Sequence, residues 1–371
     1  NYTSTPGMAI VMSFIIFIII GTVLLMSPQA TTDGKGTPLI DAFFTSTSAV
    51  CVTGLIVQDI PLYFTRFGHI IILILIQIGG LGIMTSYIFF SIALRKRLLI
   101  SQQVAMKGVF DTESVGEIKK TILFIVISTF VIEAVGTSVL AIHWSEEPFG
   151  DDVFYSLFHS ISAFCNAGFS LFSDSLATYR NDTTVTITIG LLIVFGGMGF
   201  VVLINLFELL PSLAGRNKNR RLNLHTKIVL TTTAILIIVG AILFYLFEYG
   251  QTLSSLSGKD KIFVSIFESV TTRTAGFSMV DVGSLTPPTF LYFMFFMFIG
   301  GSPCSTAGGV KTTTVFVIFV LIYSIFQGKD ELEVYGRTIH KRTILKAVSI
   351  LTISLLTIMV FSLILLYTEK A

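Results

Sequence analysis

Three short loops have the residues that a cation filter needs. They read VCVTG at 50–54, FCNAG at 164–168 and TRTAG at 272–276, and each ends in glycine. Backbone carbonyl groups can replace the water around a potassium ion when a loop is extended, has small side chains and contains a glycine that tolerates unusual φ and ψ. One such loop alone is a weak signal, because similar sequences occur in many turns.

The recurrence of these loops is a stronger signal than any single loop. Their glycines lie about 110 residues apart, a period typical of an internal structural repeat. Each loop is preceded by a large apolar residue (Phe44, Phe158 or Ile266) and followed by a double glycine: Gly79-Gly80, Gly196-Gly197 and Gly300-Gly301. Three landmarks in the same order favour three equivalent filter segments over three unrelated turns.

The composition indicates where such loops would lie. The chain has 371 residues, of which 53% are hydrophobic and 12% charged, and its mean hydropathy is +0.85. Soluble domains have roughly 25% charged residues, so a soluble enzyme, a disordered chain and a nucleic-acid binder are excluded. The cysteines Cys51, Cys165 and Cys304 are too widely spaced to suggest a disulfide or metal pattern. The prediction is an all-α polytopic membrane protein.

Seven segments are apolar and long enough to cross a bilayer, which needs about 20 residues per helix. They are 8–27, 69–94, 121–142, 183–207, 228–247, the long tract 287–328, and 343–367. Between them lie shorter semi-apolar stretches at 41–50, 155–164 and 263–270, each just before a glycine loop. Runs of this length are candidate re-entrant segments, and irregular backbone at membrane depth is tolerated where it lines a wet cavity.

The loop charges predict the orientation of the chain. Two thirds of the 24 Lys and Arg residues lie in the loops 95–120, 208–227 and 329–346. The positive-inside rule places these loops in the cytoplasm, so the filter loops face outward. Most acidic residues lie on the outer side, where they would favour the arrival of cations or simply form a solvated surface.

These observations predict tandem helix–pore-loop–helix repeats around a pseudo-fourfold axis. The expected units are repeat 1 (1–97), repeat 2 (112–215), repeat 3 (222–328, with a broken second helix at 287–328) and a partial repeat 4 (338–371, first helix only). All complete units enter the membrane from the same side, as parallel repeats do. Because the sequence starts at Asn1 and stops before a fourth loop, we expect it to be a fragment with a truncated fourth repeat.

The loops, together with GGLG (79–82), GGMG (196–199) and GGSPCSTAGGVKTT (300–313), resemble the Trk/Ktr/HKT superfamily of K+ transporters. The resemblance is closest to a bacterial Ktr-type membrane (pore) subunit, and the family's fourth filter and last helix have no counterpart here. It implies potassium uptake through a filter that binds K+ by backbone atoms only, with one glycine per repeat. The implied filter residues are Val50, Cys51, Val52, Thr53, Gly54, Phe164, Cys165, Asn166, Ala167, Gly168, Thr272, Arg273, Thr274, Ala275 and Gly276.

The break in the tract 287–328 is the second candidate site. Glycine pairs and a proline unwind a helix, and nearby hydroxyl groups can then satisfy the freed backbone groups. The resemblance implies that the segment 300–314 is a gating loop; a simple kinked helix is the alternative. The candidate gate residues are Gly300, Gly301, Ser302, Pro303, Ser305, Thr306, Gly308, Gly309 and Lys311, whose charge needs a partner or water within an apolar tract.

Several polar residues near the loops have two possible roles. Glu133 lies in the middle of a span, and an ion pair with Arg273 would support the third loop; a neutral, locally bonded Glu133 is the alternative. Asn166 could offer a side-chain oxygen to an ion or cap a helix. We expect His159 to contribute packing or a local hydrogen bond, and GGLG and GGMG to allow close helix packing.

Three other functions remain as alternatives. GFS occurs at 168–170 and 276–278, but GxSxG, GxGD and HExxH are missing, so an intramembrane protease is disfavoured and Ser170 and Ser278 are read as loop residues. The superfamily also includes Na+-permeable transporters, and a non-conducting assembly subunit is the third alternative. The chain is not predicted to be an enzyme.

Further expectations come only from the resemblance. Ktr-like subunits form homodimers in the lipid bilayer of the bacterial cell (plasma) membrane and bind a cytosolic RCK/KTN-type regulatory ring. The resemblance implies that ATP or ADP binds that partner and not this chain, that Na+ is a stimulator of uptake, and that nothing is bound covalently. The basic residues at Arg216–Arg221 and Lys341-Arg342 would suit docking of the ring, although orientation alone explains them.

Overall fold

The computed structural model describes residues 6–82, 115–145, 151–213, 222–328 and 332–369. Several predicted features therefore lie outside the described residues: the end of the span 69–94, most of the basic loop 95–120, and the whole Arg216–Arg221 cluster. The chain termini at 1–5 and 370–371 also lie outside them.

The described residues are mainly helical, with one small hairpin. The helices are α1 (Pro6–Leu25), α2 (Leu39–Val50), α3 (Ile60–Tyr63), α4 (Arg66–Leu81), α5 (Val115–Trp144), α6 (Asp152–Phe164), α7 (Thr183–Met198), α8 (Phe200–Leu213), α9 (Leu224–Glu248), α10 (Gly258–Thr271), α11 (Pro287–Phe298), α12 (Thr312–Phe326) and α13 (Lys341–Thr368). Strands β1 (Glu333–Val334) and β2 (Arg337–Thr338) pair antiparallel between α12 and α13. Short 3-10 turns lie at Pro28–Ala30, Ala177–Tyr179 and Val282–Ser284.

Among the described residues, three helices are long and apolar enough to cross a membrane alone: α9, α13 and the Lys120–Trp144 part of α5. The apolar segment predicted at 183–207 is not one straight helix, because α7 and α8 meet at an angle of 102°. Gly199 between them has a φ of 89°, which a helix cannot contain. Composition could not reveal the bend, since the residues on both sides are apolar.

The predicted break in the long tract 287–328 is confirmed. Helix α11 has 12 residues and ends at Phe298, and the 15-residue helix α12 begins at Thr312. The backbone between them is irregular but closed: the Gly300 amide donates to the Val310 carbonyl and the Val310 amide donates to the Phe298 carbonyl, both at 3.0 Å. Irregular backbone buried among helices needs such internal bonds, because lipid cannot supply them.

The three predicted semi-apolar stretches form the short helices α2, α6 and α10. Each follows a long helix in the chain and packs against it: α2 on α1, α6 on α5 and α10 on α9. At 12 to 14 residues they are too short to span a bilayer. Their Ser, Thr and Ala residues are buried, which lets neighbouring helices approach closely.

The core lies around the C-terminal ends of these short helices. Helix α6 packs against α4 and α7, and α7 also packs against α10, so the second short helix is enclosed by its neighbours. The fully buried aromatic side chains Trp144, Phe158, Phe164, Phe169 and Phe277 lie in this region. Large apolar side chains on α1, α5, α9 and α13 are exposed at the outside of the bundle, as expected of surfaces that face lipid.

Candidate functional site

The three glycine loops share one unusual backbone conformation. In each loop the glycine and the residue two positions before it have positive φ: Val52 (55°) and Gly54 (74°), Asn166 (57°) and Gly168 (71°), Thr274 (70°) and Gly276 (85°). The residue between each pair has negative φ, so the sign of φ alternates along each loop. Positive φ at the β-branched Val52 and Thr274 is strained, and such strain is concentrated at functional sites.

The loops lie against one another in chain order. A Cβ atom placed on Gly54 would come within 2.5 Å of the Ala167 carbonyl oxygen, and one on Gly168 within 2.6 Å of the Ala275 carbonyl oxygen. On Gly276 it would lie 3.2 Å from the Gly168 Cα atom. The structure thus brings together the predicted glycines of all three loops, and there is no room for a side chain at the first two.

A hydroxyl group holds the outer end of each loop. Ser48 and Ser162 donate to the carbonyl groups of Leu55 and Phe169 at 2.7 Å, and Thr271 donates to that of Phe277 at 2.6 Å. In every case the acceptor is the residue that follows the glycine. The sequence analysis did not identify these hydroxyl groups; the recurrence of Ser or Thr shortly before each glycine is the signal that would have revealed them.

The double glycines pack behind the loops. A Cβ atom on Gly79 would collide with the Val50 carbonyl group, and one on Gly196 with that of Phe164. Gly80 similarly faces the Cys165 side chain. The expectation that GGLG and GGMG serve close packing is therefore confirmed, and the surfaces they pack on are the ends of the short helices α2 and α6.

His159 on α6 supports the second loop from its outer side. Its Nδ1 atom lies 2.7 Å from the Tyr155 carbonyl oxygen, which can only accept, so Nδ1 carries the proton. The free Nε2 then accepts from the Leu171 amide at 3.3 Å and faces the Ser170 hydroxyl at 3.0 Å. The ring stacks on Phe172 with centroids 4.7 Å apart. The expected role in packing and local hydrogen bonding is confirmed.

Ser170 and Ser278 are structural parts of the loops. Ser170 Oγ accepts from the Phe172 amide at 3.0 Å. The Ser278 amide donates to Ser175 Oγ at 3.1 Å, and the Ser278 carbonyl accepts from the Leu176 amide at 3.0 Å. These bonds join the outer ends of the second and third loops. Although Ser170 lies beside His159, both side chains form hydrogen bonds with backbone groups. Ser170 is therefore a structural residue of its loop, as expected.

Buried Glu268 on α10 supports the third loop. Its Oε1 atom accepts from the Met279 amide at 2.7 Å and from the Ser278 hydroxyl at 3.4 Å. The side chain is 1% exposed. Glu268 was not among the residues predicted from the sequence, because a single acidic residue in the short stretch 263–270 does not reveal which amide groups it faces.

The expected ion pair between Glu133 and Arg273 is wrong. Among the described residues the ion pairs are Arg66–Asp151 and His143–Asp182. Helix α5 places the Glu133 carboxylate behind the second loop, where Cys165 Sγ lies 4.0 Å from Oε1 and the other oxygen has no hydrogen bond. Arg273 lies in the third loop at the end of α10, and its Nε atom is buried without a partner.

The segment 300–314 is hydrogen-bonded to the second loop. The Asn166 amide donates to Thr306 Oγ1 at 2.8 Å, and that hydroxyl donates to the Phe164 carbonyl at 3.0 Å. The Oδ1 atom of Asn166 is buried without a bond. The Asn166 amide group therefore links the second loop to the segment 300–314, which differs from the helix cap considered from the sequence. Binding of an ion by its side-chain oxygen stays a prediction.

The same segment also contacts the bend between α7 and α8. The Thr306 amide donates to the Gly196 carbonyl at 3.2 Å, and the Ser302 amide to that of Gly197 at 2.9 Å. In return the Phe200 amide donates to the Cys304 carbonyl at 2.9 Å. The bend thus exposes backbone groups that a straight helix would bond internally, and the segment 300–314 satisfies them.

Two further contacts complete the surroundings of this segment. The Gly308 amide donates to Thr274 Oγ1 in the third loop at 3.1 Å. Lys311 Nζ donates to the Ala307 carbonyl at 2.7 Å, which is a partner within the segment itself. The segment 300–314 is therefore hydrogen-bonded to both the second and the third loop.

Nothing in the described part of the chain resembles a metal centre of charged side chains: no group of three or more His, Cys, Asp or Glu side chains is close enough to hold an ion. The fold and the loops together define a polytopic α-helical membrane protein.

Comparison with known proteins identifies the family. Residues 1–369 match the TrkH cation transport protein family, and the chain belongs to it. This is a family of transporters and not of enzymes, which removes the protease alternative.

Two bacterial relatives are similar over most of their length. The chain is 38% identical over 341 residues to the Ktr system potassium uptake protein B of Bacillus subtilis, covering 90% of this chain and 74% of the relative. It is 35% identical over 340 residues to the potassium/sodium uptake protein NtpJ of Enterococcus hirae, covering 91% and 74%. The solved potassium transporter TrkH of Vibrio parahaemolyticus has a similar fold, with a TM-score of 0.71, 18% identity and coverage of 96% of this chain and 72% of that one.

Proposed function

We propose that this chain takes up potassium across the membrane through a filter of backbone carbonyl groups. The observation that carries the proposal is the alternating backbone of the three loops, with positive φ at Gly54, Gly168 and Gly276 and two residues before each. Backbone carbonyl groups can replace the hydration shell of an ion without binding it too tightly for release. The Bacillus subtilis relative is named for potassium uptake, which agrees with this proposal.

The proposed repeats follow from the same loops. Each loop stands between a short helix and an apolar helix, and the units 1–97, 112–215, 222–328 and 338–371 group these elements. The short helices α2, α6 and α10 end at the loops, so the negative ends of their dipoles would favour a cation there.

The segment 300–314 is the proposed gate. The contacts of this segment with the second and third loops support this role: Thr306 bonds to Asn166 and Phe164, and the Gly308 amide donates to Thr274. Breaking the Thr306 side-chain bonds would loosen the segment, which keeps its backbone hydrogen bonds to Gly196 and Gly197. Because the bend at Gly199 shares backbone hydrogen bonds with it, movement of the segment would also affect α8.

Sodium permeation is the second candidate function. The Enterococcus hirae relative is named for both potassium and sodium uptake. Glycine in all three loops favours potassium, because it leaves the carbonyl ring free of side chains. A non-conducting assembly subunit is the third outcome that a flux experiment must distinguish.

The proposed setting is a bacterial plasma membrane, with the basic loops in the cytoplasm and the glycine loops facing outward. A homodimer bound to a cytosolic RCK/KTN-type ring that carries ATP or ADP is the assembly implied by the similarity to Ktr proteins. The hairpin β1–β2 and the following Lys341-Arg342 pair, on the proposed cytoplasmic side, are the described residues best placed to contact such a ring.

Rubidium and sodium flux into proteoliposomes tests the proposal. The protein used is the full gene product that contains residues 1–371, with and without its regulatory ring. Uptake of rubidium with exclusion of sodium is the expected result. Equal flux of both ions would favour the sodium-permeable alternative, and no flux of either ion, with the ring present, would favour the assembly subunit.

A further inference from the structure

A small cavity lies at the outer end of the three loops. Its volume is about 130 Å³, and its floor includes all three glycines, Gly54, Gly168 and Gly276. Its other lining residues follow the first two glycines in the chain, so the proposed orientation places this cavity on the side from which an ion would enter. A space of this size accommodates a cation together with several water molecules.

One carboxylate lines this cavity. Asp59 precedes the short helix α3, and its side chain makes no capping hydrogen bond. The other residues that line the cavity are apolar or carry hydroxyl groups, and none is basic. The negative charge of Asp59 therefore faces the cavity without a neutralising partner among the residues that form its wall.

Other acidic residues on the same side are used differently. Asp33 accepts from the Lys35 amide at 3.0 Å, Asp182 caps α7, and Asp281 accepts from the Gly283 amide at 3.0 Å. The neighbouring Asp41 accepts from the Gln58 side chain at 2.9 Å. These carboxylates stabilise turns, helix ends or side chains, so their presence is explained by local structure. Asp59 has no such bond.

We propose that Asp59 and the cavity form an outer binding site for a partly hydrated monovalent cation. The site would concentrate the ion at the glycines, and the nearby hydroxyl groups of Ser173 and Ser175 would replace part of its water. Attraction between the Asp59 carboxylate and an approaching cation raises the rate at which the ion is captured more than the rate of later steps. The proposal rests on the proposed potassium pathway through the three loops.

Rubidium uptake by Asp59→Asn in proteoliposomes tests this site. We expect KM for rubidium to rise about threefold to fivefold, the effect of one unit charge at close range in water, with an unchanged maximal rate. Asp59→Glu is expected to retain a near-normal KM. The matched control is Asp33→Asn, which removes an exposed carboxylate from the same outer loop and is expected to leave KM unchanged.

Two further measurements separate capture from a structural role. Raising the ionic strength with an impermeant salt should shrink the difference in KM between the parent and Asp59→Asn, because exposed charges are screened. Ser173→Lys, at an exposed position on the cavity wall, should raise KM in the same way. This variant decides the question if Asp59→Asn does not fold.

The outcomes distinguish the two proposals. If the parent protein transports rubidium and neither Asp59→Asn nor Ser173→Lys changes KM, the outer site is wrong while the pathway stands. The site is also wrong if Asp59→Asn lowers only the maximal rate. If the parent protein transports neither rubidium nor sodium, the proposed function itself fails.

Discussion

At the scale of single residues, the loops combine strain with support. Val52, Asn166 and Thr274 adopt a left-handed conformation that L-residues rarely take. Such conformations persist only where the surroundings enforce them. Here the hydroxyl bonds of Ser48 and Ser162 and the closely packed glycines provide that enforcement. The same shape could not be maintained by the loop sequences alone.

The first prediction concerns Gly168. In Gly168→Ala the new Cβ atom would lie within 2.6 Å of the Ala275 carbonyl oxygen, in addition to the cost of a positive φ of about 1–2 kcal/mol. We expect the displaced carbonyl group to lower rubidium uptake at least about tenfold and to reduce selectivity over sodium. Flux in proteoliposomes measures both effects.

Gly34→Ala is the matched control for this prediction. Gly34 has a φ of 67°, close to the 71° of Gly168, but a Cβ atom there would meet nothing within 4 Å. Both substitutions therefore share the backbone cost, and only one displaces a carbonyl group. Equal losses of flux in the two variants would contradict a specific role for the second loop.

The second prediction concerns His159. His159→Phe keeps the stacking on Phe172 but leaves the Leu171 amide without its acceptor, and a buried unpaired donor costs about 1–3 kcal/mol. We expect the second loop to loosen and the ratio of rubidium to sodium flux to fall. His159→Gln, which offers an oxygen near the position of Nε2, is expected to restore part of the ratio.

Two controls accompany the comparison of His159→Phe with His159→Gln. If His159 acts only by packing, Phe should preserve selectivity and Gln should impair it, the reverse of the expected order. Thermal unfolding in detergent is measured for each variant, so that a general loss of folded protein is not mistaken for a change in the loop.

How far the site could be predicted depends on the kind of residue. The glycines were predictable because only glycine fits their contacts, so they recur visibly. The Glu133–Arg273 pair was predicted incorrectly, since sequence places both charges in the membrane but does not say which loop each one faces. Glu268 and the supporting hydroxyl groups were missed because buried hydrogen bonds of this kind depend on distances that a single sequence does not reveal.

At the scale of helices, hydropathy predicted which parts of the sequence form apolar helices but not where the chain bends between them. The apolar stretch 183–207 contains both α7 and α8, yet Gly199 turns the chain by 102°. The break at 300–314 was visible because glycine, proline and hydroxyl residues interrupt an apolar run. The structure adds that these two irregular elements bond to each other through Gly196, Gly197 and Phe200.

The third prediction concerns the hold on the segment 300–314. Thr306→Val has nearly the same shape but loses both the bond from Asn166 and the bond to the Phe164 carbonyl. Each bond contributes about 0.5–1.5 kcal/mol, so the released segment should be open about tenfold more often. Rubidium flux without the regulatory ring is expected to rise accordingly.

Two variants serve as controls for Thr306→Val. Thr306→Ser keeps the hydroxyl group and should behave like the parent protein. Ser305→Ala removes a hydroxyl that bonds to the Ala307 carbonyl within the same segment, at 3.5 Å. A rise in flux for Ser305→Ala equal to that for Thr306→Val would show general loosening and not release of the bonds to the second loop.

At the scale of the whole molecule, polar contacts join elements that are distant in the sequence. Arg66, the first residue of α4, pairs with Asp151, which directly precedes α6. Glu248 at the end of α9 accepts from the Thr286 amide at 2.8 Å and the Thr289 hydroxyl at 2.6 Å, so it connects α9 to the start of α11. The polar ends and the apolar outer surfaces agree with a bundle that crosses a bilayer.

The last prediction concerns the orientation of this bundle. Ser254 lies between α9 and α10, at the end that carries the glycine loops, and Thr338 lies in the basic loop before α13; both are exposed. Since the positive-inside rule places the basic loops in the cytoplasm, a membrane-impermeant maleimide should label Ser254→Cys in intact cells. Thr338→Cys should react only after permeabilisation, with a rate difference of about tenfold or more.

The native cysteines set the control for this labelling. Cys165 is buried, whereas Cys51 is exposed and Cys304 partly so. The parent chain is therefore labelled in parallel, and Cys51→Ser with Cys304→Ser provides a low background. Labelling of Thr338→Cys before permeabilisation would show that the orientation is opposite to the predicted one. The cavity at Asp59 would then face the cytoplasm, and the same three loops would receive ions from the opposite side.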